Sequence, residues 1–183
     1  THMIYVVPSL KAKEKLQCEG KAWAESQGFA YVPRGKRTIQ DLMDEYGEDF
    51  LVYSSRGPQI DRPEGSHFFS LNMAELRIQN LRKGQRDHLL EALMGVKEYD
   101  LRPAAAQPPI SVLDCTCGFG ADAAVASFGL PAGSRVDALE VSPLLEAVTA
   151  WGFSHFVHKK DDVTAALRRI SLRCGDYRDY LLS

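Results

Sequence analysis

The chain has 183 residues, of which 45% are hydrophobic and 25% charged, and its formal net charge is −2. This is the composition of a globular protein long enough for one domain, or for a small domain and part of a larger one. No stretch approaches the ~20 apolar residues of a membrane span, and the net charge predicts no strong non-specific attraction to nucleic acid. A local basic patch is still compatible with this charge.

The N-terminus and the cysteines predict a cytoplasmic protein. No charged segment followed by an apolar run opens the chain, so we expect no secretory signal. Cys18, Cys115, Cys117 and Cys174 lack the spacing of a disulfide framework. The one-residue gap between Cys115 and Cys117 fits structural zinc poorly. We therefore expect reduced thiols and no metal site.

The first sixty-odd residues predict a small α/β unit, which we place at residues 1–66. Thr38 is a good N-cap for its second helix, and Gly28 is a plausible stop for its first. The predicted elements are a strand at 4–7, a helix at 11–27, a short strand at 31–32, a helix at 39–46 and a strand at 50–53, with a turn-rich segment at 54–58.

Residues 67–109 predict a helical adaptor followed by a linker. Asn72 begins a helix that ends at Gly84, and Glu75 completes a loose capping-box pattern. A second short helix covers residues 87–94. The proline-rich run at 102–109 predicts the linker, because proline blocks both helix and sheet pairing.

The remaining chain alternates between strands and helices. Strands are predicted at 110–115, 135–140 and 170–174, and helices at 121–129, 143–152 and 161–168. A β-α-β-α-β order requires right-handed crossovers and a parallel sheet. We therefore predict an α/β protein with a Rossmann-like domain at residues 67–183.

A glycine-rich turn after the first of these strands predicts a ligand site. Asp114 ends the strand, while Gly118 and Gly120 permit a close approach of ligand atoms, and Thr116 can bond the turn or the ligand. Glu140 follows twenty residues after Gly120, as in nucleotide-binding sheets, where such an acid binds ribose hydroxyls. A simple strand–helix turn with a capping acid is the less favoured alternative.

The charges around the turn discriminate between ligands. Asp114 and Asp122 bracket the loop and would repel a pyrophosphate, whereas they suit a ligand that carries an ammonium and a sulfonium. This favours S-adenosylmethionine over NAD. Asp176, which follows the third strand and Gly175, can meet an adenine amino group, although a solvated turn acid is the alternative.

These residues resemble class I S-adenosylmethionine-dependent methyltransferases, most closely the bacterial small-subunit ribosomal RNA guanine-N2 methyltransferase family and its relatives. Residues 112–123 are similar to that family's form D-A-T-A-G-L-G-R-D-A, and residues 73–87 to a basic segment before its first sheet strand. The resemblance covers residues 67–177. It implies that Asp122, Glu140 and Asp176 contact the cofactor. The full predicted cofactor site comprises Asp114, Thr116, Gly118, Gly120, Ala121, Asp122, Glu140, Val141, Gly175 and Asp176.

The family's catalytic Asp/Asn-Pro segment, which follows a fourth strand, has no counterpart here. The 183 residues end at 181–183, where that strand would begin. We therefore expect a sheet truncated after its third strand, and we identify no catalytic residue. The third strand would then expose an apolar edge, which we expect a partner or a second copy of the chain to cover.

The resemblance implies methylation of RNA, with guanine N2 of ribosomal RNA as the candidate atom. Arg77, Arg82, Lys83 and Arg86 are candidates for neutralising RNA phosphates, the alternative being an ordinary solvated face. A non-catalytic nucleotide-binding or scaffold module is the alternative function. An NAD-linked oxidoreductase is the least supported, because no catalytic Tyr-Lys or His-Asp arrangement is evident. His155 and His158 are three residues apart, a spacing that can place two side chains on one face of a helix. Ordinary surface or core histidines are favoured over a functional pair.

Overall fold

The computed structural model describes residues 2–95 and 107–182, and their contacts divide the chain into two compact units. The first unit ends at Phe69 and the second begins at Ser70. The sequence placed the domain boundary after residue 66, and whether the two units are independent domains remains a prediction. Among the described residues, no helix combines the length and apolarity needed to cross a membrane.

The first unit is built on a five-stranded sheet with the order β2-β1-β3-β4-β5. Its first three strands are parallel, whereas β4 and β5 form an antiparallel extension. The elements are β1 (Tyr5–Pro8), α1 (Glu14–Gln27), β2 (Ala30–Tyr31), α2 (Ile39–Tyr46), β3 (Phe50–Ser54), β4 (Gly57–Arg62) and β5 (Gly65–Phe68).

The hairpin of β4 and β5 was missed by the sequence analysis, which saw only a turn after the third strand. Its first strand contains Pro58 and polar residues, so no hydrophobic alternation marks it. Two of those polar side chains are buried and bonded, because Gln59 accepts from the Ser54 hydroxyl at 2.9 Å and donates to Asp61 at 2.8 Å. Hydrogen bonding thus stabilises a strand that reads as a loop.

The second unit carries a parallel three-stranded sheet with the order β6-β7-β8. Helices alternate with these strands, which confirms the predicted α/β class and Rossmann-like arrangement. The elements are α3 (Asn72–Arg82), α4 (His88–Met94), β6 (Ser111–Asp114), α5 (Ala121–Gly129), β7 (Arg135–Glu140), α6 (Pro143–His155), α7 (Asp161–Arg168), β8 (Ser171–Cys174) and α8 (Tyr177–Leu182).

One prediction of local structure in this unit is wrong. The capping box of Asn72 and Glu75 is absent: Leu71 precedes α3 without a side-chain cap bond, and Glu75 instead pairs with His158. The two histidines do not share a helix face, because α6 ends at His155. The predicted linker at 102–109 lies mostly outside the described residues, and α8 was not predicted.

The edges of the small sheet differ from the expectation. β7 is the central strand, so β6 and β8 are both edge strands of the sheet that the structure describes. The predicted apolar edge on β8 is wrong, because Ser171, Arg173 and Cys174 are exposed and Leu172 is half-buried. Polar edge strands resist unwanted pairing. Coverage of an edge by a partner remains a prediction.

Candidate ligand site at the carboxyl end of the parallel sheet

Parallel pairing brings the predicted acidic residues to one edge of the second unit. Asp114 ends β6 opposite Ala138, and Glu140 ends β7 opposite Cys174. Gly175 and Asp176 follow at the end of β8, where the amide of Gly175 donates to the Glu140 carbonyl at 2.9 Å. Ligands of open α/β sheets bind outside these carboxyl ends. The three acids therefore share the edge at which a ligand site is expected.

The loop between β6 and α5 is tied to its neighbours by hydrogen bonds. The amide of Cys117 donates to the Leu139 carbonyl at 2.9 Å, and the hydroxyl of Thr149 donates to the Gly118 carbonyl at 2.7 Å. Within the loop, the amide of Thr116 donates to the Asp114 carboxylate at 3.1 Å. The loop is therefore held in place by β7 and α6 before any ligand arrives.

The two glycines of the loop are required for different reasons. Both have positive φ, 57° at Gly118 and 84° at Gly120, a conformation that other residues rarely adopt. A Cβ at Gly118 would meet open space, whereas one at Gly120 would lie 2.4 Å from the Phe153 ring. Gly120 thus lets α6 pack closely against the start of α5.

Glu140 has a structural role that the sequence did not reveal. Its side chain is buried, with 8% exposure, and its two oxygens accept from the amides of Gly118 at 3.0 Å and Ser142 at 2.8 Å. These bonds join the loop to the start of α6. Each carboxylate oxygen can accept a second hydrogen bond. The predicted contact with ribose hydroxyls therefore remains compatible with this geometry, and it stays a prediction.

Asp114 carries an unfavourable charge at the end of β6. Burial raises the pKa of its carboxyl, the bond from Thr116 opposes this, and the charges of Asp122 and Glu140 raise the pKa further. Burial and the neighbouring acids thus disfavour the ionised form of Asp114. An ammonium or sulfonium group placed beside Asp114 would relieve this repulsion.

A cleft of about 370 Å³ opens beside these residues, within the size range of small-molecule sites. α3 forms one wall and the glycine loop the other. The lining residues are Ser70, Met73, Arg77, Asp114, Thr116, Cys117, Phe119, Gly120, Ala121 and Asp122. Most of the predicted cofactor residues before β7 thus surround one space, while Gly118 shapes the same loop.

The remaining predicted residues lie at the ends of β7 and β8. Val141, directly after Glu140, is exposed, with 67% of its surface accessible. Asp176 accepts from both the guanidinium and the amide of Arg178, and these bonds lower its pKa to about 2. Asp176 therefore orders the start of α8, a role that the sequence did not predict.

Three of the four candidate RNA-binding residues are engaged in ion pairs. Arg77 pairs with Asp87 and Asp122, Arg82 with Asp162, and Arg86 with Glu91. The hydrogen bonds that Arg77 donates to Asp87 and, to a smaller extent, to Asp122 raise the pKa of Arg77 above its ordinary value. Intramolecular pairing reduces the positive charge that these arginines offer to phosphates. Their role in RNA binding remains a prediction.

A second cavity of about 280 Å³ lies between α3 and the start of α7. Lys83, Lys159 and Lys160 line it, and no ion pair joins these lysines to an acid in the described part of the chain. His158 lines the same cavity and is bonded to Glu75. We call the three lysines the basic rim. Lys159 and Lys160 were not singled out from the sequence, where two adjacent lysines are an ordinary surface feature.

No cluster of metal-ligating side chains is found among the described residues, and all four cysteines are free. Burial, followed by the charges of nearby acids, raises the pKa of Cys117 to about 12. A thiol with this pKa is protonated at neutral pH and is a poor nucleophile. Cys117 is therefore best understood as a packing residue of the loop.

The comparisons with known proteins agree with this architecture. No protein-family model matches the chain. It is 25% identical over 177 residues to the uncharacterized protein YpiP of Bacillus subtilis, covering 96% of this chain and 65% of the relative. A SAM-dependent methyltransferase from Neisseria gonorrhoeae superposes with a TM-score of 0.57 at 13% identity, covering 97% of this chain and 62% of that protein. The chain therefore shares the Rossmann-like α/β fold of the Neisseria protein.

A putative O-methyltransferase from Klebsiella pneumoniae superposes less well, with a TM-score of 0.32 at 17% identity, over 61% of this chain and 56% of that one. The chain spans less than two thirds of the length of YpiP and of the Neisseria protein. The likeness to the Neisseria protein therefore concerns the fold of the matched residues alone.

Proposed function

We propose that the chain binds S-adenosylmethionine in the cleft at the carboxyl end of β6 and acts as a methyltransferase. The observation that carries the proposal is the negative charge of Asp114 and Asp122 on the wall of a cleft formed by a hydrogen-bonded glycine loop. A cationic ligand compensates this charge, whereas a pyrophosphate would add to it. The Neisseria methyltransferase of the same fold supports the choice of cofactor.

The chain's own residues supply binding and orientation. The glycine loop offers close backbone approach, the remaining lone pairs of Glu140 suit the ribose diol, and exposed Val141 offers an apolar surface to the adenine ring. When bound, S-adenosylmethionine supplies an electrophilic methyl group. Fixing that group in one orientation is the main contribution that we assign to this unit.

We further propose RNA as the methyl acceptor, with guanine N2 of ribosomal RNA as the candidate atom. The basic rim supports this proposal, because Lys83, Lys159 and Lys160 are available to phosphates, whereas the neighbouring arginines are paired with acids. Phosphate contacts by lysines give affinity without sequence selectivity. The rim would therefore position the RNA, and selection of the base would be made elsewhere.

Titration calorimetry with S-adenosylmethionine, S-adenosylhomocysteine and NAD tests the cofactor. We expect the two adenosyl ligands to bind and NAD not to bind. Asp114→Asn keeps an oxygen for the Thr116 amide but removes the charge, so we expect about tenfold weaker binding of the sulfonium ligand. The same variant should lose less affinity for S-adenosylhomocysteine, because the thioether of that ligand is uncharged. Binding of NAD alone would contradict the proposal.

Fluorescence anisotropy with a short RNA hairpin, measured over a range of salt concentrations, tests the acceptor. Replacing Lys159 and Lys160 by Gln should weaken RNA binding and reduce the salt slope by about one per lost phosphate contact. Lys21→Gln, on the exposed surface of α1, is the matched control. An unchanged slope in the double variant would argue against the rim. Binding of cofactor and RNA without methyl transfer would support a non-catalytic module.

A further inference from the structure

Arg77 is held rigidly on the wall of the cleft. Its Nε donates to Asp87 at 2.9 Å and its Nη2 donates to the other oxygen of the same carboxylate at 3.2 Å. Asp87 in turn accepts the amides of Leu89 and Leu90 at the start of α4, and its side chain is only 10% exposed. A bidentate bond to a fixed carboxylate sets the plane of the guanidinium. Arg77 therefore cannot swing freely into solvent.

The other end of the guanidinium faces a more accessible partner. Nη1 donates to Asp122 on α5 at 2.7 Å, and 64% of the Asp122 side chain is exposed. A guanidinium has five N–H groups, and these three bonds leave one N–H on each terminal nitrogen without a described acceptor. The edge between the two terminal nitrogens is the one that binds carboxylates end-on.

The charges of the cleft match those of an amino acid. Arg77 is the basic residue among those that line it, and Asp114 and Asp122 are the acidic ones. The amino-acid end of S-adenosylmethionine carries a carboxylate and an ammonium, next to a sulfonium. Arg77 and Asp122, which lie in contact on opposite walls, offer one partner of each sign to the first two groups.

We propose that Arg77 recognises the carboxylate of the cofactor's amino-acid end, an inference that rests on the proposed function. Asp87 keeps the guanidinium in place, while the exposed bond to Asp122 gives way to the ligand. The exposed pair yields because exposed ion pairs are weak, whereas the shielded bidentate pair with Asp87 persists. Asp122 is then available to the ammonium. Arg77 is thus a specificity residue for an amino-acid nucleoside, rather than a contact for RNA phosphates.

Ligands with and without the amino-acid end test the proposal directly. S-adenosylhomocysteine has the carboxylate and ammonium, whereas 5′-methylthioadenosine keeps the nucleoside and the thioether but lacks both. By calorimetry, Arg77→Met should weaken S-adenosylhomocysteine binding at least about tenfold and change methylthioadenosine binding less than about twofold. Arg77→Lys should be intermediate, because an ammonium cannot bind a carboxylate through two parallel N–H bonds.

Arg82→Met is the matched control. Arg82 lies on the same helix and pairs with Asp162 on α7, but it lines the second cavity and not the cleft. This variant should bind both ligands as the unmodified protein does. Methylthioadenosine binding also reports whether each variant is folded at the site, so a general collapse of the site is recognised by the loss of both ligands.

Two outcomes would overturn the inference. If Arg77→Met weakens both ligands equally, Arg77 acts only by holding Asp87 and α4. If it weakens neither, the carboxylate is recognised elsewhere. A different result would end the proposed function itself, namely that the unmodified protein binds neither ligand. Binding of the two ligands to the unmodified protein therefore tests the proposed cofactor. The ratio of their affinities for Arg77→Met tests the role of Arg77.

Discussion

At the residue scale, the candidate site consists of side chains that support each other before they can bind anything. Glu140 joins the loop at Gly118 to the start of α6 at Ser142, and it was predicted only as a ligand contact. Gly120 was predicted to admit a ligand, whereas its hydrogen faces the Phe153 ring. The types of these residues point to the site, and their partners determine its rigidity.

Gly120→Ala should destabilise the second unit by about 2–4 kcal/mol, because the new methyl group overlaps Phe153 and the backbone is in the left-handed region. Gly118→Ala is the matched control, since it shares the backbone conformation but meets open space. It should cost about 1 kcal/mol. Urea unfolding of both variants gives the free energies.

Exchanging Phe153 for Leu in the Gly120→Ala background should recover part of the loss, because it removes the ring that the methyl group meets. Equal stabilities of Gly120→Ala and Gly118→Ala would contradict the packing argument. Backbone strain would then be the whole effect.

At the element scale, α3 presents different faces to two cavities. Met73 and Arg77 line the cleft, whereas Glu75, Gln79 and Arg82 line the second cavity. The helical period places residues four apart on one face, which explains both sets. The sequence assigned Glu75 to a capping box because it lies three residues after Asn72. In the structure its carboxylate is bonded to His158 at 3.0 Å, a partner that no local pattern reveals.

Glu75→Gln should destabilise the protein by about 1 kcal/mol at pH 7. Burial acts to raise the pKa of Glu75, but bonds from Gln79 and His158 outweigh it and the pKa is lowered. A carboxyl whose pKa is lowered by folding stabilises the protein at pH values above its pKa in the unfolded state. This stability is lost as the pH falls through its pKa in the folded state. The difference between wild type and variant should therefore shrink from pH 7 to pH 3.5 in urea titrations.

Glu64→Gln provides the control for that titration, because Glu64 lies exposed in the turn between β4 and β5 and belongs to none of the described ion pairs. It should leave the stability unchanged within about 0.5 kcal/mol at both pH values. A pH-independent effect of Glu75→Gln would show that the charge of Glu75 does not contribute.

At the scale of the whole molecule, each compact unit has its own buried residues. The first has a cluster of Val7, Leu42, Phe50 and Val52, and the second buries residues such as Leu167 completely. The predicted ligand site lies entirely in the second unit. Its affinity should therefore depend on the core of that unit alone.

Leu42→Ala should lower the stability of the first unit by about 2–4 kcal/mol, because it leaves a cavity in a fully buried cluster. Leu167→Ala should do the same in the second unit. Calorimetric unfolding with and without S-adenosylhomocysteine separates the two, since a ligand stabilises only the unit that binds it.

The ligand should raise the unfolding temperature of the second unit, which Leu167→Ala lowers. It should leave the unfolding temperature of the first unit unchanged. Its affinity at 25 °C should be the same in Leu42→Ala as in the unmodified protein. A single transition that both variants lower equally would show that the two units unfold as one.

The alternation of strands and helices in residues 110–174, the glycine loop and the acids at three strand ends could all be predicted from the amino-acid sequence. These features are local, because strand ends, turns and helix starts follow from hydrophobic period and from glycine, and parallel pairing brings the strand ends together. The hairpin after β3 escaped because its polar residues are satisfied by partners inside the unit. The polar side chains of the candidate site likewise have partners that the local sequence does not reveal.

Which acidic and basic side chains meet depends on the tertiary structure. Asp122 lies 45 residues from Arg77, and Glu75 lies 83 residues from His158, so neither pair leaves a trace in local spacing. Arg77 and Arg82, which were predicted to bind RNA, are paired with acids in the structure, and the basic rim lies nearby. Contacts between side chains that are distant in sequence depend on how helices pack on the sheet, which periodicity does not encode. The glycine loop could thus be predicted from the sequence, whereas the position of Arg77 beside Asp122 in the cleft could be recognised only from the fold.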